Sequence, residues 1–424
     1  MLSTLRNAWK VPELKKRFLW TIFLVAIFRI GTHIPVPGMR TDVLKSLASS
    51  GTIFGFYDLI SGGAFRQFSI FALSVTPYIN ASIIVQLLTI AIPSLEQLSK
   101  EGEEGRKKIQ KITRILSIVI GFILAFGTYS MVAARGATFS MSWYEVIIVL
   151  IALVAGSTFC MWLGDQITAK GFGNGISILI FVNIVSQLPT TLMSLFTLKD
   201  QGKISIIGIL LFVAAAILLL CIVIFFSLAE RRIPVQYAGK AVGSKMMRGQ
   251  STHIPLSIIG SAVIAIIFAM SVMMFPKTIA EFFPNHNWAI WVVSNPYSIF
   301  NESTWMYPVV YSILTIFFTW FYTQITFKPD EMAENLHKSA GFVPGIRPGE
   351  ATEKHFERVL TKVSLIGGVF AALLAILPIL ISNSQLQGIQ FGGTSLLIMV
   401  GVGLDFSRQL DSQLVMRHYQ GFLK

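Results

Sequence analysis

The chain alternates between long apolar blocks and shorter polar segments, and this pattern predicts its fold. Ten blocks are long and apolar enough to form helices that cross a membrane. We number them spans 1 to 10, and they cover residues 18–34, 71–92, 113–133, 143–163, 175–196, 204–228, 254–275, 305–327, 358–381 and 391–411. An open sheet edge in lipid would leave backbone groups without hydrogen bonds, so each block is predicted to be α-helical.

One segment between spans 1 and 2 is apolar but far too short to cross a membrane. In residues 52–68, apolar side chains from Phe56 onward recur at helical spacing, and Gly62 and Gly63 then interrupt the pattern. A half-helix at membrane depth is tolerated only where protein or a water-filled cavity surrounds it. The pattern therefore predicts either a re-entrant helix that closes a cavity or an interfacial helix on the outer surface.

Two short sequences recur at equivalent places, which indicates an internal repeat. They are Ile-Pro-Val at 34–36 and 233–235, and Gly-x-Ser-x-Leu-Ile at 175–180 and 393–398. Spans 1 and 6 run in opposite directions, and so do spans 5 and 10, as in transporters and channels built from inverted repeats. Each echo alone is short enough to arise by chance. Together they favour two inverted halves of five helices, 1–200 and 201–424.

Composition and charge agree with a membrane protein and fix its orientation. The chain is 54% hydrophobic and 13% charged, whereas soluble domains carry about 25% charged residues. If the N-terminus is cytoplasmic, the inner segments hold 23 Lys and Arg residues and the outer segments hold 7. Positive charge accumulates on the cytoplasmic side of membrane proteins. The sequence therefore predicts a multi-pass membrane protein with both termini in the cytoplasm.

The sequence carries no motif for catalysis, for metal binding or for a cofactor. It has no zinc-site or nucleophile-elbow pattern and no Walker-type ATP site, so it is not expected to be an enzyme. Cys160 and Cys221 both lie in apolar blocks and are expected to be packed side chains. Arg29 and Asp405 lie near span ends, where long or terminal charges reach the interface. We find no charge at mid-membrane depth, which disfavours an ion-coupled transporter.

Two long cytoplasmic loops, 229–253 and 328–357, carry a distinctive polar pattern. Basic loops beside a membrane commonly bind anionic lipid and set orientation, and that interpretation stays open here. However, 342–349 combines Pro-Gly pairs and an apolar core with a single arginine, which favours docking of a large soluble partner. If that partner is rich in RNA, the phosphate contacts will be salt-dependent. The candidate docking residues are Arg231, Arg232, Lys240, Lys245, Arg248 and Arg347.

Several ordered motifs together resemble the SecY family, the large subunits of the bacterial protein translocon, over essentially the whole chain. The matching stretches are 28–31 (Phe-Arg-Ile-Gly), 34–38 (Ile-Pro-Val-Pro-Gly), 61–64 (Ser-Gly-Gly-Ala), 77–88, 100–103 (Lys-Glu-Gly-Glu), 173–177 (Gly-Asn-Gly-Ile-Ser), 250–253 (Gln-Ser-Thr-His), 342–350 and 391–398. Their number and order make the resemblance specific, although no single stretch would.

The resemblance implies an hourglass channel of ten helices whose two halves are hinged between spans 5 and 6. It implies a plug near 56–65, formed by Phe56, Tyr57, Asp58, Leu59, Ile60, Ser61, Gly62, Gly63 and Ala64. It also implies an apolar pore ring of Val75, Ile79, Ile176, Ile180, Ile267 and Ile398, in which Val75 stands where isoleucine is frequent. A narrow apolar constriction can exclude ions by dewetting.

The resemblance further implies a lateral gate between spans 2–3 and 7–8, with Asn80 and Gln86 as polar residues at that seam. The expected partners are the small subunits SecE and SecG, the motor ATPase SecA, the ribosome through its RNA, signal peptides, nascent chains and lipids. The expected function, in a bacterial cell membrane, is passage of unfolded secretory polypeptides across that membrane and lateral release of transmembrane segments into the bilayer. The alternatives are an inverted-repeat transporter for a small solute and an insertase or scaffold without a pore.

Overall fold

The structure is a computed structural model, and it is a bundle of helices with a small sheet on one side. It describes residues 9, 11–44, 58, 61–139, 142–200, 202, 205–237, 241–242, 245–246, 251–260, 262–282, 286–301, 304–382 and 393–421. The helices are α1 (Pro12–Gly31), α2 (Thr76–Ala91), α3 (Pro93–Lys100), α4 (Glu103–Ala134), α5 (Trp143–Lys170), α6 (Gly175–Asp200), α7 (Ile206–Leu228), α8 (Ala262–Phe282), α9 (Asn287–Ser294), α10 (Met306–Phe327), α11 (Pro329–Lys338), α12 (Glu350–Ser382) and α13 (Gly393–Gly421).

The strands are β1 (Glu230–Tyr237), β2 (Ala241–Val242), β3 (Lys245–Met246), β4 (Ser251–Ser257) and β5 (Gly341–Phe342). Strand β1 lies between β4 and β5 and is antiparallel to both, whereas β2 pairs with β3. Ile233 and Val235 of β1 are buried, whereas Arg232, Pro234 and Gln236 are exposed. This alternation is typical of a strand with one packed face. The strands β1, β4 and β5 of the loops 229–253 and 328–357 therefore form one folded unit with α11 and the first turns of α12.

The prediction of a helical multi-pass membrane fold is confirmed. Among the described residues, six helices are long and apolar enough to cross a membrane, or seven if the bent pair α2 and α3 counts as one span. Helix α7 is the most apolar, and only 6% of its most apolar window is buried inside the protein. Such a surface would be unstable in water, so it must face lipid or another apolar helix. The count of ten spans stays a prediction.

Two predicted span boundaries are wrong. Span 2 was predicted from residue 71, but α2 begins at Thr76, because Ser74 has a φ of +48° and residues 71–75 form turns. Span 7 was predicted from residue 254, but residues 254–257 belong to β4 and pair with β1. In both places a short apolar run continues the hydropathy of the helix although its backbone is not helical.

A sharp bend of 102° separates α2 from α3. Ile92, between them, is extended with φ −111° and ψ 111°, and Pro93 follows it. The ring of a proline disfavours helical geometry in the residue before it, so the sequence itself ends α2 at this point. Helix α3 turns away from the bundle, and none of its residues is buried.

The helices sort into two groups of five long helices, each with its own apolar core. Helices α1, α2, α4, α5 and α6 pack among themselves, and α7, α8, α10, α12 and α13 do the same. In the described part of the chain, the extensive contacts between the two groups run along two helix pairs, α6 with α13 and α4 with α8. The groups therefore meet along two separate seams.

Candidate functional site

An apolar cluster joins helices of both halves, and we name it the waist cluster. Its buried members are Leu24, Phe28, Phe71, Val75, Cys160, Leu163, Ile167, Ile178, Leu179, Ile180 and Ile184. Ile79, Ile176 and Ile398 are partly buried and pack against it. Five of the six predicted ring residues are therefore in or against one cluster, contributed by α6, α13 and the start of α2. The sixth predicted ring residue, Ile267, is half-buried on α8 and is not a member of the cluster formed by the described residues.

Glycine at the start of α6 sets the position of the waist isoleucines. A Cβ on Gly175 would lie 2.0 Å from the carbonyl oxygen of Gly164, so only glycine permits this approach to α5. The Gly175 amide donates to Thr168 Oγ1 at 2.8 Å, which fixes the first turn. Ile176 then packs directly against Gly164, where a side chain would collide with it. Because α6 has 3.6 residues per turn, Ile176 and Ile180 lie on one face.

The segment before α2 carries a buried ion pair that sequence analysis missed. Asp58 is fully buried, and its Oδ2 accepts a hydrogen bond from Arg66 Nε at 2.8 Å. Its Oδ1 accepts from the Arg66 backbone amide at 2.9 Å. Gln187 of α6 completes the group, since its Oε1 accepts from Arg66 Nη2 at 2.9 Å and its Nε2 donates to the Asp58 carbonyl at 3.2 Å. We name these three residues the polar clasp.

The same segment lies in close contact with α6 and α1. Gly62 has a φ of +66°, and a Cβ there would lie 2.4 Å from Asn183 Oδ1 and 2.9 Å from Asn183 Cα. Arg29 of α1 donates from Nη1 to the Gly62 carbonyl at 3.0 Å. The Arg29 guanidinium therefore binds this segment, and its position at the membrane interface stays a prediction. Asp405 is exposed.

The predicted plug residues fall partly within the described structure. Asp58, Ser61 and Ala64 are buried, and Gly62 and Gly63 both have positive φ, so the chain turns at the predicted glycine pair. Residues 61–68 form turns after one helical position at Ser61. The remaining predicted members lie outside the described residues: Phe56, Tyr57, Leu59 and Ile60.

The predicted seam residues of α2 occupy two different places. Asn80 Oδ1 accepts a hydrogen bond from Ser271 Oγ of α8 at 3.4 Å, a contact that joins the two halves. Gln86 is exposed and lines a cavity of about 470 Å³ between α2, α4, α8 and α10. Aromatic side chains from the other half, including Phe268 and Tyr322, form much of its wall. The structure thus places both residues at the boundary of the halves without bringing them together.

The predicted docking residues lie on the small sheet and its neighbouring loop. Arg231 and Arg232 are exposed on β1, and Arg347 is exposed between β5 and α12. Glu230, at the start of β1, pairs with Arg408 of α13 at 3.2 Å. Lys240 and Arg248 lie outside the described residues, and Lys245 is described only as a backbone position of β3.

The sequence analysis also overlooked a charge within a predicted span. Arg114 of α4 pairs with Asp165 of α5 at 2.8 Å. Arg114 lies 11 residues after the first residue of α4, which at 1.5 Å per residue is about 16 Å along the helix. The pair joins two helices of one half, so predicted span 3 contains a charged residue in addition to the charges noted in spans 1 and 10. Among the residues that the structure describes, no group of three or more His, Cys, Asp or Glu could hold a metal ion.

Comparison with known proteins identifies the family. The SecY family model matches residues 69–407. The chain is 42% identical to the protein translocase subunit SecY of Halalkalibacterium halodurans, over 100% of both chains. It is 40% identical to the protein translocase subunit SecY of Bacillus subtilis, again over 100% of both chains.

Solved structures share the fold. One is a SecY protein whose plug domain is described as stabilising the closed state of the translocation channel and maintaining a membrane seal. It matches with a TM-score of 0.66 at 19% sequence identity, and the match covers 95% of this chain and 92% of that chain. Another is canine Sec61 in a ribosome-channel complex from the endoplasmic reticulum, with a TM-score of 0.61 at 20% identity, covering 95% and 93%. The resemblance found in the motifs is confirmed, and the chain belongs to the SecY family.

Proposed function

We propose that this chain is the channel subunit of a protein translocase. It passes unfolded secretory polypeptides across the cell membrane and releases transmembrane segments sideways into the bilayer. The whole-length similarity to translocase subunits supports this function. The chain performs no chemistry of its own, so the energy for transport comes from a partner.

The observation that carries the proposal is the waist cluster, in which α2, α6 and α13 bring isoleucine and valine side chains together from both halves. Branched aliphatic side chains offer an ion neither charge nor hydrogen bonds, so a constriction of this kind resists ions by dewetting. The same side chains can pack around an extended polypeptide of any sequence. Val75, Ile79, Ile176, Ile180 and Ile398 then form the pore ring, and Ile267 on α8 is the sixth member in this proposal.

In this proposal the plug is the segment that carries Asp58 and the turn at Gly62 and Gly63. It packs against α6, the helix that carries Ile176 and Ile180, through Asn183 and Gln187. All these residues lie on one face of α6, because positions 4, 7 and 11 apart return to nearly the same direction. The segment therefore lies directly along the face that lines the waist, two turns beyond Ile180.

The lateral gate is the seam between α2 with α4 and α8 with α10. The described polar contact between α2 and α8 is the single long hydrogen bond from Ser271 to Asn80. Interhelical hydrogen bonds in membranes contribute about 0.6 kcal/mol on average, so this polar contact adds little to the cost of separating the packed helices. The cavity beside Gln86 is an opening in this seam that an apolar segment can enter.

The partners follow from the surfaces that the bundle leaves uncovered. Helix α7 exposes most of its apolar side chains, among them Leu210, Leu211 and Phe225, and it suits lipid or the single helix of a small subunit such as SecE or SecG. The sheet unit, with Arg231, Arg232 and Arg347, docks SecA or the ribosome, and the ribosomal contact is to RNA phosphate. Both termini are cytoplasmic, and the halves are 1–200 and 201–424.

Crosslinking to a stalled nascent chain tests the proposal. Cysteines replace Ile79 and Ile398 in a channel whose native Cys160 and Cys221 are changed to serine. Both positions should form crosslinks to the translocating chain, whereas a cysteine at Ile313, which is 61% exposed on the outer face of α10, should not. Equal crosslinking at all three positions would refute a path through the waist. Solute uptake without protein transport would instead support the transporter.

A further inference from the structure

We propose that the polar clasp is an electrostatic latch that holds the plug in the closed position, with Arg66 and Gln187 as its positioning residues. This inference rests on the proposed function, because it assigns the side chains that keep the channel sealed. Neither Arg66 nor Gln187 belongs to the ring or plug positions that the family resemblance implies.

Asp58 is a carboxylate with no exposed surface. A buried charge is strongly unfavourable unless a partner neutralises it and hydrogen bonds satisfy its oxygens. Arg66 does both, since its backbone amide binds Oδ1 and its guanidinium binds Oδ2. The Arg66 side chain itself is 30% exposed. The carboxylate therefore depends on Arg66 more than the guanidinium depends on Asp58.

Arg66 is fixed to the bundle and cannot follow Asp58 when the plug moves. Its neighbours Phe65 and Phe68 are fully buried in the apolar core of the N-terminal half. The Phe68 carbonyl accepts a hydrogen bond from the Val36 amide at 2.9 Å, which ties the chain to the loop after α1. Asp58 lies eight residues earlier, beyond the turn at Gly62 and Gly63. Any displacement that carries Asp58 away from this turn must separate it from its counter-charge.

Gln187 holds both partners at once, and Arg66 fixes its orientation. Arg66 Nη2, which can only donate, binds Gln187 Oε1 at 2.9 Å and so holds the amide oxygen towards the guanidinium. The Gln187 amide nitrogen is then directed to Asp58, with its carbonyl at 3.2 Å and its Oδ2 at 3.4 Å. A glutamine in this orientation donates to the acid and accepts from the base. It therefore strengthens the pair without adding a charge.

The position of Gln187 links the latch to the width of the pore. Gln187 lies seven residues, or two turns, after Ile180 on the same face of α6, which is about 10 Å along the helix. A polypeptide that enters the waist pushes Ile180 and α6 outward. Because Ile180 and Gln187 lie on the same helix, an outward movement of α6 withdraws Gln187 from Asp58 and Arg66. Entry of substrate thus weakens the latch before the plug itself is displaced.

The test compares ion leak through the purified full channel complex in planar bilayers for three variants of the latch. Arg66→Met, Asp58→Asn and Gln187→Met each remove hydrogen bonds to a charged group, and we expect each to raise the resting leak about tenfold. Arg66→Lys keeps the positive charge and should restore most of the seal. The matched control is Gln324→Met, whose amide nitrogen donates to Thr361 at 3.0 Å within the other half and should leave the leak unchanged.

Coupling distinguishes a latch from general loss of packing. Asp58→Asn combined with Arg66→Met should leak no more than either single change, because the two residues act as one unit. In a channel that lacks residues 57–64, Gln187→Met should add no further leak. If the deletion leaks but the single variants stay sealed, the latch is refuted and the plug stands. If the deletion itself stays sealed, the proposed plug function fails.

Discussion

Replacement of Gly62 by alanine tests the contact between the plug segment and α6. A Cβ at this position would lie 2.9 Å from Asn183 Cα, an atom of the helix backbone that cannot rotate away. Alanine must therefore displace the segment from α6. Gly63 provides a matched control, because its φ of +91° is also left-handed while the nearest atom to its Cβ is Gln187 Nε2 at 3.5 Å, an ordinary contact.

The two variants share the backbone strain and differ in the collision. Holding alanine in a left-handed conformation costs about 1–2 kcal/mol at either glycine. Inserting a methyl group into a packed contact costs about 1–3 kcal/mol more, and only Gly62→Ala bears this second cost. Since about 1.4 kcal/mol is a factor of ten, Gly62→Ala should shift the balance between closed and open channels roughly fivefold to a hundredfold further than Gly63→Ala.

The measurement is the resting ion conductance of purified channels in planar bilayers, normalised to the amount of protein inserted. Gly62→Ala should conduct in the absence of substrate, and Gly63→Ala should conduct much less. Equal conductance of the two variants would show that contact with α6 does not hold the segment. A sealed Gly62→Ala channel with normal thermal stability would refute the reasoning altogether.

Three further outcomes are expected. Asn80→Ala or Ser271→Ala removes the 3.4 Å hydrogen bond between α2 and α8. Because such a bond contributes roughly 0.6 kcal/mol, crosslinking of a signal sequence to lipid should rise about threefold, and a tenfold rise would contradict this prediction. Phe28→Ala leaves a cavity at a fully buried site and should reduce the free energy of unfolding by about 3–5 kcal/mol, which lowers the thermal unfolding temperature by several degrees. Phe23→Ala is the control, because Phe23 is 54% exposed on the same helix and its replacement should leave that temperature unchanged. Arg347→Gln should weaken ribosome binding and reduce its dependence on salt concentration in a titration, and an unchanged salt slope would exclude a phosphate contact.

The long apolar helices could be predicted from the sequence because hydropathy over about 20 residues is a local property. Predicted spans 4, 5, 6 and 8 begin within two residues of α5, α6, α7 and α10. The errors arose where an apolar run is not helical, as at residues 254–257, which pair with β1. Hydropathy reports burial and cannot by itself distinguish a short buried strand from the first turn of a helix.

The polar clasp could not be predicted, because its partners are far apart in the sequence. Gln187 is 121 residues from Arg66 and 129 residues from Asp58, and only the folded bundle brings them together. A signal was present, since Gln187 is a polar residue inside an apolar span and such residues are costly unless paired. The ring residues were identified by family resemblance alone, and in isolation each isoleucine would be an ordinary packing residue.

Helix α12 gives the small sheet a mechanical connection to the membrane-spanning bundle. Its first turns carry Phe356 and Leu360, which are buried in the core of the sheet unit, and the same helix continues to pack against α8 and α10. From Glu350 to Leu377 it is 28 residues long, or about 42 Å. A soluble protein that tilts the sheet therefore also tilts α12, whose far end lies beside α8 and α10. Force applied outside the bilayer then reaches the membrane interior through one continuous helix, with no loop in between.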